Sequence, residues 1–277
     1  MLSKKILYSA ILSGALLAAP IHAAPTLSDL VFVVDESGSM GNVQANLRDN
    51  IGQFASILTG TGQVSAQYGL VGYGNDDVTP RMLTDLTDDA SFSSAAQNLV
   101  ADGGTEPGYT ATAFALNALD NQSDQFSFRS NALKNVIILT DEPSNGDDAA
   151  IGAVNQQKVS ETVLDGILSA NDTLYNGVLD GYSTTSSYES LITAHGGSVF
   201  DLSLFNSTDT SVVEAFVTDF ANAKLQETLG FCELNPDAPA CNNNDGAPVS
   251  EPGSLGLLGL GLSGLLAAYR RRSVSAS

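Results

Sequence analysis

Basic residues, histidine and cysteine are scarce in this 277-residue chain. Lys and Arg number 11 against 31 Asp and Glu, a formal charge of −20. Such a chain repels phosphate backbones, which excludes nucleic acid as a partner, while it suits cation binding and high solubility. Cysteine occurs twice, at Cys232 and Cys241, with no Cys-x-x-Cys pair. Two thiols do not make a metal site, and in an exported protein they are expected to form one disulfide around the short loop 233–240. Of the two histidines, His22 lies in a removable leader, so His195 is the one available to a mature protein.

The ends say where the chain goes. Residues 1–23 carry a basic start (Lys4, Lys5), an apolar run from Ile6 to Ala19 and small residues up to Ala23. This is the pattern of a secretory signal peptide cleaved after Ala23. Near the other end, Leu255–Tyr269 is apolar and Gly-rich, and Arg270, Arg271 and Arg272 close it. A spanning helix wants about 20 apolar residues, so this run is at the short limit. The arginines would stay on the cytoplasmic side and leave the preceding domain outside. A glycolipid-anchor signal would end in its apolar tail, whereas here RRRSVSAS follows.

Between these ends, β-branched apolar runs alternate with stretches of helical period. Strands are expected at Leu30–Val34, Tyr68–Tyr73, Val136–Leu139, Leu174–Leu179 and Ser198–Leu202, with an antiparallel edge strand at Val78–Leu86. Helices are expected at Val43–Leu58, Phe92–Val100, Thr110–Leu119, Ala149–Ser169 and Thr210–Leu229. The alternation implies a single α/β domain, a doubly wound and mostly parallel sheet flanked by helices. The domain spans residues 27–230, a flexible disulfide-containing stalk 231–253, and the apolar helix with its arginines 254–273.

In such sheets ligands sit at the carboxyl ends of the strands. The first strand ends in Asp35-Glu36-Ser37-Gly38-Ser39. One carboxylate and two hydroxyls at alternate positions are hard oxygen donors, suited to Mg²⁺, Mn²⁺ or Ca²⁺ rather than zinc. Two further strand-end segments carry oxygen donors: Gly103-Gly104-Thr105 before a helix, and Thr140-Asp141-Glu142 after the central strand.

Asp-x-Ser-x-Ser followed by these two segments resembles the von Willebrand factor type A (VWA) domain over about 200 residues. The resemblance implies a metal-ion-dependent adhesion site, MIDAS, formed by Asp35, Ser37, Ser39, Thr105 and Asp141. Its ion, Mg²⁺ in the first place, is ligated directly or through water, mostly by neutral hydroxyls, and takes a carboxylate from a partner. That partner is a protein or an acidic polysaccharide. The C-terminal segment resembles the PEP-CTERM sorting signal of Gram-negative bacteria, which an exosortase recognises and cuts. Glu251 and Pro252 match its motif, with Ser250 in place of the first Pro, and Arg270–Arg272 match its basic cluster. Membrane attachment through this helix is transient if the tail is cut and permanent if it is retained.

Catalysis finds little support. A haloacid dehalogenase-type hydrolase needs a second Asp two residues after the nucleophile, where Ser37 stands. A serine hydrolase needs a nucleophile elbow, and Ser37-Gly38-Ser39-Met40-Gly41 lacks its first Gly. His195 belongs to a loop entering the last strand. The expectation is therefore an adhesion or matrix-binding protein at the cell surface and not an enzyme. A structural matrix protein whose metal only stabilises the fold is the first alternative, and a metal-assisted hydrolase the second. Tyr109 and Tyr182 are readable either as partner contacts or as packing. Asp76, Asp77, Asp147 and Asp148 are readable as ligands of extra calcium or, in the first place, as solvated loop charge.

Overall fold

The computed structural model describes residues 24–241. The expected leader (1–23), the Glu251-Pro252 motif, the apolar run and the arginine cluster lie outside the described residues. The chain order is β1 (Thr26–Asp35), a 3-10 turn at Gly38–Met40, α1 (Gly41–Thr59), β2 (Val64–Tyr73) and β3 (Arg81–Thr87). Then come α2 (Asp89–Ala95), α3 (Gly108–Ala115), β4 (Leu133–Thr140) and a small hairpin of β5 (Ala153–Val154) and β6 (Gln157–Lys158). The chain continues with α4 (Glu161–Ala170), β7 (Leu174–Leu179), α5 (Gly181–Ala194), β8 (Val199–Asp201), α6 (Leu202–Phe205) and α7 (Thr210–Leu234).

Six strands form one sheet in the order β3-β2-β1-β4-β7-β8. All neighbours pair in parallel except β2 and β3. β1 is buried on both faces, and its side chains alternate between two cores. Leu30, Phe32 and Val34 pack under α1 and α7, whereas Val31 and Val33 pack under α3, α4 and α5. In α1 the buried residues Val43, Leu47, Ile51, Phe54 and Leu58 recur at three- and four-residue spacing, one stripe facing the sheet.

The order places β2 on one side of β1 and β4 on the other. The chain therefore reverses its direction of winding between β1 and β4, and connections above and below the sheet part there. This is the topological switch point, where a crevice opens at the carboxyl ends of an open α/β sheet. Asp35 ends β1 and Asp141 follows β4, so both stand at that crevice.

The opposite pole holds the two ends of the described segment. Cys232 and Cys241 are joined in a disulfide, and Ala240 is buried against Leu133 and Leu174. Thr26 Oγ1 lies 4.0 Å from Cys232 Sγ. Just inside that pole Asp29, fully buried, is bound by Arg129 through the backbone N–H and the guanidinium, 2.7 Å in each case.

Besides shifts of a few residues at element ends and the short helix α6, three segments differ from the expectations. Residues 149–158 are not helical: the chain turns at Asn155 and Gln156, both with positive φ, to form the β5–β6 hairpin, and α4 starts at Glu161 under a Ser160 cap. α5 was not expected, because Tyr182–Ser190 is rich in Ser and Thr, which are weak helix formers. It is held by burial of Tyr188, Leu191 and Ile192. Finally, α7 continues to Leu234, so residues 231–234, expected in the stalk, belong to the packed domain.

Candidate metal centre

The first loop builds itself around Asp35. Its Oδ1 accepts the Ser37 backbone N–H at 2.7 Å, curling the chain so that Ser37 Oγ and Ser39 Oγ come within 3.1 Å. Its Oδ2 accepts the Thr140 hydroxyl at 2.8 Å, tying β1 to β4. Burial pushes the Asp35 carboxyl up to about 6, against the two hydrogen bonds, and nearby Asp141 pushes the same way. The Oδ1 atom of Asp141 is buried and has no hydrogen-bond partner among the described residues. Its backbone carbonyl accepts the Thr184 hydroxyl at 2.9 Å, which fixes it against α5.

The Thr105 loop is brought in by backbone contacts. Gly103 forms an isolated bridge with Ser37, and the N–H of Gly38 donates to its carbonyl at 3.2 Å. A Cβ at Gly103 would lie 1.6 Å from the Gly74 carbonyl oxygen, so only glycine permits this approach. Gly146, with φ +71, likewise leaves room for Thr105: a Cβ there would meet Cγ2 of Thr105 at 2.3 Å. A Cβ placed on Gly74 would sit 3.1 Å from the Thr105 carbonyl oxygen and 3.5 Å from Asp35 Oδ1, which locates the Thr105 loop beside Asp35.

Glu36, Asn145 and Gln44 complete the frame, and sequence reasoning singled out none of the three. Glu36 is fully buried. Its carboxylate takes a two-point contact from Arg81 at 2.5 and 3.1 Å and the Val100 N–H at 2.9 Å. Its carbonyl accepts the N–H groups of Asp102 and Gly103. Asn145 joins the loop after Asp141 to Glu106 through a backbone bond of 2.9 Å and side-chain bonds of 3.2 and 2.6 Å. Gln44 bonds the carbonyls of Asp35 and Val100. Burial pushes the Glu106 carboxyl up to about 7, with Asp35 and Glu142 adding to the rise and Asn145 opposing it.

Two other expectations resolve. Tyr109 is packing: its ring meets Tyr188 edge-on and its hydroxyl donates to the Ser187 carbonyl at 2.6 Å. Tyr182 is exposed. Asp147 is not solvated charge. It accepts from the Thr110 N–H, the Thr110 hydroxyl and the Ser144 hydroxyl. Asp76, Asp77 and Asp148 are exposed. His195 sits at the end of α5, bonded to Asp165 at 2.9 Å, at the amino-end pole and remote from Asp35.

The donor set suits a hard cation. In an octahedral site with bonds of about 2.1 Å, adjacent ligands lie about 3.0 Å apart, and the two serine oxygens have that spacing. The orphaned Asp141 oxygen is a buried acceptor of the kind that a cation satisfies. Among the described residues no three His, Cys, Asp or Glu side chains cluster as a metal site, so hydroxyls would have to supply most of the donors.

The von Willebrand factor type A domain model matches residues 29–191, from inside β1 to α5. The chain belongs to that family. The VWA match includes all five candidate positions. A second model, the PEP-CTERM protein-sorting motif, matches residues 248–272, despite Ser250 in the first motif position. That motif implies an exported protein processed by an exosortase. No curated protein sequence matches the chain.

Several solved structures are similar to this chain. Proximal thread matrix protein 1 from the mussel byssus is 15% identical with a TM-score of 0.50, covering 73% of this chain and 48% of its own. The chain thus spans about half the length of that protein. A D319A mutant of the PilB minor pilin from Streptococcus sanguinis is 15% identical, with a TM-score of 0.48 and coverage of 77% and 64%. The SpRpn10 VWA domain is 16% identical, with a TM-score of 0.48 and coverage of 71% and 94%. At this identity the likeness is one of fold. Among the described residues no helix is long and apolar enough to cross a membrane.

Proposed function

We propose that this chain is an exported, non-catalytic binding protein of the bacterial cell surface or extracellular matrix. Its working site is a single divalent-metal centre made by Asp35, Ser37, Ser39, Thr105 and Asp141. The observation that carries this reading is the pairing of Ser37 Oγ and Ser39 Oγ at 3.1 Å with a buried, unpartnered Asp141 oxygen. Mg²⁺ is the ion we assign, since close-set hydroxyl donors favour a small cation over Ca²⁺, which prefers more and longer bonds.

A bound divalent ion supplies Lewis acidity and a vacant coordination position at the surface. Asp35 accepts a hydrogen bond on each carboxylate oxygen, from Ser37 and from Thr140, so it orients the loop and would help to hold the ion. Ser37, Ser39 and Thr105 are neutral. These three would cancel none of the ion's charge, so a bound ion would keep an appetite for an external carboxylate. His195, bonded to Asp165 at the other pole, offers no proton transfer to this site, which supports binding over hydrolysis. Calorimetric titration of the protein with Mg²⁺ tests the reading. One ion per chain, bound at least about tenfold more weakly in Ser39→Ala with unchanged circular dichroism, is expected; no uptake overturns it.

A further inference from the structure

Among the described residues, nearly every Lys and Arg has its charge met. Arg48, Arg81, Arg129 and Lys224 each pair with a carboxylate, and Lys158 is exposed to water. Lys134, the second residue of β4, differs. It is half-buried and forms no ion pair with a carboxylate of the described residues. Its ammonium donates to Asn171 Oδ1 at 2.6 Å and lies 4.8 Å from the centre of the Phe128 ring. The amide of Asn171 is neutral and takes one of three N–H donors. Burial lowers the Lys134 amine, while Asp29 and Asp172 oppose that through space. Asp29 is already held by Arg129. In a chain with 31 acidic residues, a half-buried cation lacks a counter-charge.

Lys134 lines a cavity of about 330 Å³ at the amino ends of the strands. Phe128, Leu133, Phe231 and Pro239 give this cavity apolar walls. Arg129 and Asp172 line it too, the first with its charge met by Asp29 and the second exposed. The segment 238–240 is fastened there by the Cys232–Cys241 disulfide and by the burial of Ala240 against Leu133 and Leu174. Cavities of this size hold small ligands, with an apolar body and a few polar groups that fix its orientation.

We propose that this cavity binds a small organic monoanion, a single carboxylate on an aromatic or aliphatic body. The carboxylate accepts from the Lys134 ammonium, and the body lies against Phe128, Leu133 and Phe231. A charge-assisted hydrogen bond to a half-buried cation is among the stronger polar contacts a ligand can make. One unmatched cation beside Asp172 suits one negative charge better than the higher charge of a phosphate. A neutral analogue leaves Lys134 unmatched, and a cationic one is repelled by it. The metal centre lies at the other ends of the same strands, so this site needs no ion.

The test is a chemical-shift titration of the full chain by NMR, in EDTA so that no carboxylate can sit on a metal. The probes are phenylpropionate and hexanoate, their alcohols phenylpropanol and hexanol, phenylpropylamine, and inorganic phosphate. At least one carboxylate should bind, at least about tenfold more tightly than its own alcohol, the amine or phosphate. The shifts should centre on residues 128–134, 170–172 and 238–240. Lys134→Gln keeps a donor for Asn171 and should weaken binding at least about tenfold. Lys158→Gln makes the same charge change at an exposed position and should bind as the parent does. Circular dichroism checks that both variants are folded. Carboxylates that shift nothing, or that shift residues elsewhere, overturn the proposal. So does an alcohol that binds as tightly as its acid, or Lys134→Gln binding as the parent. The comparison of acid with alcohol uses the parent alone, so it decides even where a variant misfolds.

Discussion

Thr140 donates its hydroxyl hydrogen to Asp35 Oδ2 at 2.8 Å, fastening the end of β4 to the end of β1 at the point where the sheet reverses its winding. Through this bond the carboxylate that shapes the Ser37–Ser39 loop is held beside the strand that delivers Asp141. Thr140→Val keeps the shape and removes the donor, leaving a buried carboxylate oxygen unsatisfied. A stability loss of about 1–3 kcal/mol is expected in denaturant melts. Mg²⁺ affinity should fall by roughly 10–100-fold, as for other groups that orient a ligand without touching the metal.

Gly103 and Gly104 are neighbours with opposite sensitivities. A Cβ at Gly103 collides with the Gly74 carbonyl, whereas one at Gly104 meets nothing within 4 Å. Gly103→Ala should displace the Thr105 loop, lower the melting temperature and abolish metal uptake. Gly104→Ala should leave both within experimental error. Equal behaviour of the two variants would show that the loop does not depend on the close approach.

Glu36 and Arg81 hold the loop 98–103 in place. Arg81→Leu leaves the Glu36 carboxylate buried with the Val100 N–H alone, and breaking a buried pair in this way typically costs about 3–5 kcal/mol. Because Arg81 is partly exposed (side chain 37% accessible), the lower end of that range is expected. Amide hydrogen exchange should rise at residues 98–105 before it rises elsewhere. Uniform acceleration across the domain would contradict a local role.

Lys224 sets a pH dependence. It is fully buried in α7 between Phe200 and Phe220, with Glu227 as its ion-pair partner, and burial lowers its amine to about 8. Since the unfolded chain holds this proton up to about pH 10.5, it binds more protons than the folded chain between the two values. Stability should therefore rise from pH 8 toward 10, by on the order of a few kcal/mol. Above that range the buried Tyr73, Tyr175 and Tyr188, whose hydroxyls resist ionisation, reverse the trend. The double variant Lys224→Met/Glu227→Gln should lose the rise. Chemical denaturation between pH 7 and 10 reads both.

Much of the frame was legible because its causes are local. The apolar run Leu30–Val34 is a strand buried on both faces, and Asp35, Ser37 and Ser39 follow at a spacing that one short turn brings together. Thr105 and Asp141 were reachable through the glycines before one and the strand before the other. What was missed depends on distant contacts. Glu36 reads as the variable position of a motif until Arg81, 45 residues away, is folded onto it. Asn145 and Asp147 read as loop polarity until Glu106 and Thr110 come within bonding distance. α5 has weak local propensity and forms because Tyr188, Leu191 and Ile192 reach the core. The helical period across residues 149–158 yields to the turn at Asn155 and Gln156.

The most direct measurement is Mg²⁺ titration of the purified protein and its Ser39→Ala variant by calorimetry, followed with circular dichroism. One ion should bind per parent chain, and Ser39→Ala should bind at least about tenfold more weakly with unchanged secondary structure. Equal uptake by parent and variant would place the ion elsewhere, and the absence of uptake by the parent would contradict the metal centre altogether.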